Sequence, residues 1–125
     1  VRLGIGMVHQ HFMLVEAMTV FENIILGDTR SKGIFIDQNA RKKEITELSR
    51  KYGLEADLDQ QITELAVGAQ QRVEILKALY RGCDILVLDE PTAALTDQEV
   101  EGLFEIIHKL KNEGKSVIFI SQLIK

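Results

Sequence analysis

Residues 85 to 95 read ILVLDEPTAAL, a run of large aliphatic side chains that ends in the adjacent carboxylates Asp89 and Glu90. The aliphatic run from Ile85 to Leu88 has no polar alternation, which is typical of a strand covered on both faces in a parallel sheet. Open α/β sheets bind their ligands at the carboxyl ends of such strands. The sequence therefore predicts a buried strand with two acidic side chains at its functional end.

A helix and a second strand follow this strand. Thr96 and Glu99 have the spacing of a capping box, and the apolar stripe behind them predicts a helix that ends at Gly114. Residues 116 to 120 are again mostly apolar and predict the next buried strand. Strand, helix and strand together predict a βαβ unit, and hence an α/β fold with parallel strands.

One strand and three helices are predicted upstream of this unit. The longest of these helices has a strongly polar face that includes the basic run at 41 to 43, so we expect a solvated helical insert on the surface. The predicted elements are a strand over residues 1 to 8, a short helix opened by the capping box of Thr19 and Glu22, a helix from Asp37 to about Tyr52 that stops at Gly53, and a helix from Gln70 to Arg81 that ends at Gly82.

The composition limits the possible functions. The chain has 125 residues, 46% hydrophobic and 27% charged, which indicates one compact domain. A formal net charge of -4 argues against a nucleic-acid partner, and no run approaches the ~18 apolar residues that cross a bilayer, so we expect no direct membrane insertion. The single Cys83 suits a reducing compartment, the cytoplasm. Because the chain begins at Val1 rather than Met, we expect a piece of a longer protein.

The acidic pair suggests nucleotide chemistry. A strand of large aliphatics that ends in Asp-Glu is a Walker B pattern, in which Asp89 can hold Mg²⁺ and Glu90 can orient or deprotonate an attacking water. Acids also end many strands without any such role. The motif alone therefore leaves a purely structural interpretation open.

A second candidate is LAVGAQQR at residues 65 to 72, just before the helix predicted from Gln70. A glycine and small side chains at a helix start let backbone N–H groups approach an anion, and the helix dipole favours negative charge there. Gly68 by itself does not exclude an ordinary loop that leads into a helix.

These segments together carry a family resemblance. Three features resemble the ATP-binding subunit of ABC transporters: the segments LAVGAQQRVEILKAL and ILVLDEPTAAL and the upstream glutamine of MVHQHF. Importers of simple sugars and nucleosides are similar in two further stretches, FENIILG and VEILKALYRGCDILVLDEPTAALTDQE. The resemblance implies a partial P-loop NTPase core with an α-helical subdomain. It divides the chain into a core strand and Q-loop at 1–12, a helical subdomain with the signature motif at 13–81, and the Walker B part of the catalytic core at 82–125.

The resemblance implies roles for residues along the chain. Gln10 is the Q-loop residue that senses Mg²⁺ and couples to the permease, Asp89 is the Mg²⁺ carboxylate, and Glu90 is the catalytic base. The signature meets the γ-phosphate of ATP held by a second ATPase head, and the D-loop lies at the dimer seam. The signature residues are Ala66, Val67, Gly68, Ala69 and Gln70, and the D-loop residues are Ala94, Leu95 and Thr96.

The sequence departs from the family pattern in four places. The phosphate loop G-x-x-x-x-G-K-[ST] is not found, and we expect the chain to begin downstream of it; the Gly-Lys-Ser at 114 to 116 leads into a strand and does not fit that role. Ala66 stands where Ser is usual, and Ala69 where a polar residue is usual. Gln122 occupies the position of the switch His, where an amide can form a hydrogen bond but cannot titrate.

The resemblance implies ATP and Mg²⁺ as cofactors of an intact importer subunit. Its partners are a second ATPase head and a transmembrane permease, through which it lies at the cytoplasmic side of the cell membrane. We expect the isolated chain to be inactive, because the phosphate loop normally supplies most phosphate contacts, and to leave apolar surface exposed.

Two other interpretations stay open. A degenerate head or remnant that acts as a non-catalytic interaction module is favoured by Ala66, Ala69 and Gln122. A DNA-repair ATPase head is disfavoured by the acidic balance. Among the weaker candidates, His9 and His11 lack a third metal ligand at suitable spacing, while Cys83 and His108 are expected to be a packed residue and a solvent-facing residue.

Overall fold

A computed structural model describes residues 5–8, 14, 16–25, 38–54, 56–89 and 95–120. Within these ranges, none of the helices is long and apolar enough to cross a bilayer. The elements in chain order are β1 (Ile5–Val8), α1 (Val20–Ile25), α2 (Gln38–Tyr52), a short 3-10 helix (Ile62–Glu64), α3 (Val67–Tyr80), β2 (Ile85–Asp89), α4 (Asp97–Asn112) and β3 (Ser116–Ile120).

The three strands form one parallel sheet in the order β1-β2-β3, with β2 in the centre. In the register of the sheet Leu88 lies between Val8 and Phe119, and Asp89 lies beside Ile120. Because all three strands run the same way, their carboxyl ends meet at one edge. β2, α4 and β3 form the predicted βαβ unit, and α1 to α3 lie in the connection from β1 to β2.

Two helices begin at the predicted capping boxes. At α1 the Thr19 hydroxyl accepts a hydrogen bond of 3.1 Å from the Glu22 amide, and the Glu22 carboxylate accepts one of 2.9 Å from the Thr19 amide. At α4 Thr96 and Glu99 make the same pair of bonds at 3.2 and 3.0 Å. These bonds satisfy amides that a helix start leaves without an intrahelical partner.

The three long helices end at glycines in the left-handed region. Gly53 after α2 has φ 70°, Gly82 after α3 has φ 84°, and Gly114 after α4 has φ 83°. Residues with a Cβ adopt this conformation at a cost, so glycine ends a helix here without strain. The helix ends predicted at these positions are confirmed.

The six-residue helix α1 is held by a segment much later in the chain. The amides of Val20 and Phe21 donate hydrogen bonds of 2.9 Å to the carbonyls of Gln60 and Leu58. These are first-turn amides, which no carbonyl of the helix itself can reach. The segment that leads into α3 therefore caps α1.

One cluster of buried apolar side chains joins the helices to the sheet. Every long helix and the central strand contribute to it, so the helical part and the sheet share a continuous core. Its members that are at most 1% exposed include Val20, Ile24, Ile45, Leu54, Ile62, Val73, Ile75, Leu76, Leu86, Leu88 and Leu110.

The polar face of α2 is less solvated than the sequence suggests. Arg41 is half-buried, and its guanidinium donates a hydrogen bond of 3.0 Å to the Tyr80 hydroxyl on α3. The Lys42 ammonium lies 2.9 Å from the Asp59 carboxylate. The expectation of a solvated face is wrong at Arg41, because the hydroxyl of the buried Tyr80 binds its guanidinium. The pair of Lys42 and Asp59 is exposed and agrees with a solvated face.

The two faces of the sheet differ in how well they are covered. Leu86 and Leu88 are 1% and 0% exposed, whereas Ile85 and Val87 on the other face are only half-buried. Ile118, which lies beside Val87 in the register, is 50% exposed. Within the described residues, the expectation that both faces of β2 are covered is wrong, and the expected exposed apolar surface is found on this face.

Candidate functional site

The signature segment, residues 66 to 70, forms the N-cap and the first turn of α3. Ala66 is the N-cap, with φ -67° and ψ 162°, and the helix begins at Val67 rather than at the predicted Gln70. The predicted start is late because alanine and glycine give no capping signal in a sequence. The amides of Val67 and Gly68 are therefore first-turn amides, which lack an intrahelical partner.

The carboxylate of Glu99 binds one of these amides. Its Oε2 accepts a hydrogen bond of 3.0 Å from the Gly68 N–H, while its Oε1 accepts one of 3.0 Å from the Thr96 N–H. The helix dipole favours negative charge at this point. The start of the signature helix thus holds an anionic group supplied by α4.

These contacts stabilise the charged form of Glu99. The amide of Thr96 makes the largest contribution to a pKa of Glu99 below its ordinary value of 4.5, and the Thr96 hydroxyl, the Gly68 amide and the Arg72 guanidinium act in the same direction. Burial acts against them. At neutral pH Glu99 is therefore a carboxylate that can accept from two amides at once.

Gln70 turns back toward the chain that precedes α3. Its side-chain amide donates hydrogen bonds of 3.1 and 3.3 Å to the carbonyls of Leu65 and Ile62. These bonds hold the path of the backbone that leads into the signature. They favour a supporting role for the Gln70 side chain, and its contact with nucleotide stays a prediction.

The described part of the D-loop leads directly into α4. Leu95 is half-buried against the hydrophobic core, and Thr96 is the N-cap of α4. Through the box of Thr96 and Glu99, the end of the D-loop lies next to the start of the signature helix. Ala94 lies outside the described residues.

Asp89 is the last residue of the central strand, so the aspartate predicted to belong to Walker B lies at the carboxyl edge of the sheet. β1 and β3 end at the same edge. In the sequence Gln10, Glu90 and Gln122 follow these three strand ends, but they lie outside the described residues. The structure therefore describes the strand ends that precede the predicted residues Gln10, Glu90 and Gln122, and not these residues themselves.

The Gly-Lys-Ser triplet lies at the opposite edge of the sheet. Lys115 Nζ donates a hydrogen bond of 3.0 Å to the carbonyl of Cys83, which precedes β2, and lies 3.5 Å from the Asp84 carboxylate. Ser116 begins β3. Five residues of strand span about 17 Å, so this lysine is far from the edge where Asp89 lies. The prediction that the triplet is not a phosphate loop is confirmed.

The weaker candidates have structural explanations. Cys83 is 5% exposed and packs in the core, and His108 is exposed on α4, as predicted. His9 and His11 lie outside the described residues. Among the residues that are described, no group of three or more His, Cys, Asp or Glu side chains is placed to hold a metal ion.

Comparison with protein families shows which family this chain belongs to. A family model described as ABC transporter matches residues 1–93. The chain belongs to the ABC transporter family. The match includes the signature segment and the strand that ends in Asp89, which are the parts of the site that the structure describes.

Relatives of this ABC chain are import proteins by name. The nucleoside import ATP-binding protein NupA of Lactococcus lactis subsp. cremoris is 60% identical over 119 residues, which are 95% of this chain and 24% of the relative. The guanosine import ATP-binding protein NupO of Bacillus subtilis is 53% identical over 116 residues, which are 93% of this chain and 23% of the relative. The chain thus spans about a quarter of the length of these relatives.

A solved structure shares the fold of this ABC chain. It is a dimeric ATP-binding cassette in a post-hydrolysis state, bound to ADP and Pi, with 29% sequence identity and a TM-score of 0.73. The likeness covers 97% of this chain and 53% of the solved one. The predicted fold class, part of a P-loop NTPase core with parallel strands and an attached helical part, is confirmed.

The sequence pattern identifies only one of the two contacts of Glu99. Its position three residues after Thr96 predicts the capping box, whereas Gly68 is 31 residues away and the pairing follows no local rule. The sequence gives no signal for the second contact, because the position of the N-cap at Ala66, which has no acceptor in its side chain, is known only from the structure.

Proposed function

We propose that this ABC chain is the signature and Walker B part of the ATP-binding subunit of an importer, in which ATP hydrolysis drives the import of a nucleoside. The observation that carries the proposal is the place of Asp89 at the carboxyl end of the central parallel strand, where α/β sheets bind ligands. All three strands end at that edge. In the sequence, each strand end is followed within two residues by one of the predicted site residues, which are Gln10 after β1, Glu90 after β2 and Gln122 after β3.

Each of these side chains suits a step of ATP hydrolysis. Bound MgATP supplies the phosphoryl group and the metal that neutralises its charge. Asp89 and Gln10 offer the oxygen ligands that Mg²⁺ prefers. Glu90 takes a proton from the attacking water, and Gln122 donates a hydrogen bond from its amide at the switch position.

The start of α3 is suited to a phosphate. The Gly68 amide donates a hydrogen bond of 3.0 Å to a carboxylate oxygen of Glu99, so in our proposal the neighbouring first-turn amides, those of Val67 and Ala69, face the phosphate. Ala66, Val67, Ala69 and Gln70 complete the signature in our proposal. With alanine at position 66, backbone N–H groups rather than a hydroxyl make the contact with phosphate.

The partners in this proposal are a second ATPase head and a transmembrane permease. The D-loop, Ala94 to Thr96, meets the second head, in keeping with the dimeric state of the similar cassette. Gln10 and the helical subdomain at 13–81 contact the permease and bring the subunit to the cytoplasmic side of the membrane, while 1–12 and 82–125 form the core. The choice of a nucleoside rests on the names of the two relatives.

ATP hydrolysis by the complete gene product that contains this segment tests the proposal. The variants D89N and E90Q are expected to lower kcat by at least about 100-fold, D89N through loss of a charged Mg²⁺ ligand and E90Q through loss of the general base, which alone contributes roughly 10²–10⁴. K115M is the matched control, since Lys115 is bound at the opposite edge of the sheet. Hydrolysis that survives E90Q, or that K115M abolishes, would contradict the proposal.

Residues 1–125 alone are expected to bind MgATP very weakly. The backbone of a phosphate loop and its lysine normally supply most of the phosphate contacts, and the Gly-Lys-Ser of this chain is not such a loop. Calorimetry with MgATP measures the affinity. A micromolar Kd for the 125-residue chain would contradict this expectation.

A non-catalytic ABC head is the second candidate. The absence of a side-chain cap at Ala66 favours it, because the hydroxyl usual at this position is missing from the signature. The same hydrolysis assay decides between the two candidates. Turnover that depends on Glu90 supports the motor, and a complete gene product that binds its partner without turnover supports the interaction module.

A further inference from the structure

Glu99 links two segments that our proposed function places at the nucleotide. Its Oε1 accepts from the Thr96 amide at the end of the D-loop, and its Oε2 accepts from the Gly68 amide in the signature, both at 3.0 Å. The Glu99 amide in turn donates to the Thr96 hydroxyl at 3.2 Å. One carboxylate therefore joins the starts of α3 and α4.

We infer that Glu99 is a positioning residue, which holds the signature in register with the D-loop during ATP hydrolysis. The inference rests on the proposed function, and it concerns a residue that lies outside the signature, Walker B and D-loop positions. Glu99 acts through the Gly68 and Thr96 backbones. It makes no contact with nucleotide in this role.

The lack of a side-chain cap at Ala66 leaves a first-turn amide for this link. A serine at an N-cap accepts from the second or third amide of its helix, and Gly68 carries that second amide. Ala66 has no acceptor in its side chain. Glu99 supplies the missing acceptor, and because it belongs to α4, the cap of the signature helix moves with the D-loop.

Gly68 is required for this close approach. A Cβ at position 68 would overlap Oε2 of Glu99 and lie 2.6 Å from its Cδ. The Thr96 amide holds the other carboxylate oxygen, so a Cβ at position 68 would displace the carboxylate and break the bond to the Gly68 amide. The close approach of Glu99 therefore favours glycine at this position.

The surroundings of Glu99 carry both signs of charge. A cavity of about 380 Å³ opens beside it, between α3, α4 and the end of α2, and is lined by Arg72, Lys109 and Glu105 as well as Glu99. Arg72 on α3 favours the charged form of Glu99. The link is therefore present at neutral pH and is weakened when Glu99 is protonated.

The variant E99Q in the complete gene product tests the inference. A glutamine has one acceptor oxygen and cannot accept from both amides, so we expect kcat for ATP hydrolysis to fall about tenfold, within the ~100-fold that a misplacement of 1 Å can cost. The KM for ATP should stay within about twofold, because Glu99 is not proposed to touch the nucleotide. E22Q is the matched control, since Glu22 makes the same capping box at α1 with a bond that spans three residues.

The double variant A66S/E99Q separates positioning from stability. Serine at position 66 restores a local cap and should recover most of the Tm lost in E99Q, but it leaves the signature unlinked from α4, so kcat of the double variant should stay about tenfold below that of A66S. A kcat of the double variant equal to that of A66S, or a kcat in E99Q that equals or exceeds that of the wild type, would overturn the inference. The second result would mean that Glu99 blocks the Gly68 amide.

Failure of the proposed function is distinguishable from failure of the link. If the wild-type gene product hydrolyses no ATP, NMR of glycine-labelled protein decides the link by itself. The Gly68 amide resonance should shift with pH as Glu99 titrates, and this shift should be lost in E99Q. A Gly68 resonance in the wild type that does not respond as the pH is lowered from neutral to the acid at which the protein unfolds would disprove the link.

Discussion

The Arg41 guanidinium donates a hydrogen bond of 3.0 Å to the hydroxyl of Tyr80, which joins α2 to the last residue of α3 across 39 positions of sequence. Tyr80 is 9% exposed and Arg41 is half-buried. A hydrogen bond to a charged group contributes roughly 1.5–3 kcal/mol in proteins. This bond therefore contributes to the attachment of α2 in addition to the apolar contacts.

The variant R41A is expected to lower the free energy of unfolding by about 1–2 kcal/mol, because the Tyr80 hydroxyl loses a charged donor. Urea denaturation measures the change. R50A is the control, since Arg50 is exposed on the same helix and the substitution is the same, and we expect it to change stability by less than about 0.5 kcal/mol. Equal losses in the two variants would show that the bond to Tyr80 adds nothing.

Two glycine variants in helices should act in opposite directions. G102A is expected to stabilise by about 0.5–1 kcal/mol, because alanine is the better helix former and a Cβ there meets nothing within 4 Å. G68A gains the same propensity but displaces the Glu99 carboxylate, so we expect a net loss of about 1 kcal/mol. Thermal denaturation measures both. Stabilisation by G68A comparable to that by G102A would contradict the Glu99 contact.

The contribution of Glu99 to stability should depend on pH. Because its pKa is lowered in the folded chain, its contribution is complete above the ordinary value of 4.5 and is lost as the pH falls through the folded pKa. The wild type should therefore exceed E99Q in stability at pH 7, and the difference should shrink toward pH 3, where protonated Glu resembles Gln.

Unfolding of the wild type and E99Q at both pH values measures this difference. E101Q, which removes a charge from an exposed position of the same helix, is the control, and its difference from the wild type should be small at both. A gap between the wild type and E99Q that is the same at pH 7 and pH 3 would argue against the lowered pKa.

Because the two faces of the sheet are buried to different extents, shortening a side chain on each face should lower the free energy of unfolding by different amounts. L88A is expected to lower the free energy of unfolding of residues 1–125 by about 2–5 kcal/mol, since Leu88 is 0% exposed and its loss leaves a cavity. I118A should cost less than about 1.5 kcal/mol, because half of the Ile118 side chain is already in water. Equal costs in denaturant titrations would mean that the second face is covered.

Much of the fold could be predicted because its signals are local. The boxes at Thr19 and Thr96 and the glycines after α2 and α4 combine residue type and spacing within a few positions, and all of them are found in the structure. The parallel sheet followed from the unbroken aliphatic run at Ile85. Such features depend on hydrogen bonds and backbone conformations that residues close together in the sequence provide.

The remaining features depend on residues that are distant in sequence. The first turn of α3 begins at Val67 because packing and the Glu99 carboxylate hold an alanine- and glycine-rich turn that has little capping signal of its own. The half-buried Arg41 finds its partner on another helix. The polar character of a side chain does not reveal which distant residue it contacts. The catalytic roles of Glu90, Gln10 and Gln122 stay predictions.

The attachment of α1 to the carbonyls of Leu58 and Gln60 also bears on the order of folding. A helix of six residues has too few internal hydrogen bonds to repay its nucleation in water. During synthesis, α1 is therefore expected to stay unformed until the ribosome has released the chain past Ile62. Residues 20 to 25 are expected to acquire their shape late, and shorter ribosome-bound intermediates should leave Phe21 open to chaperones or proteases.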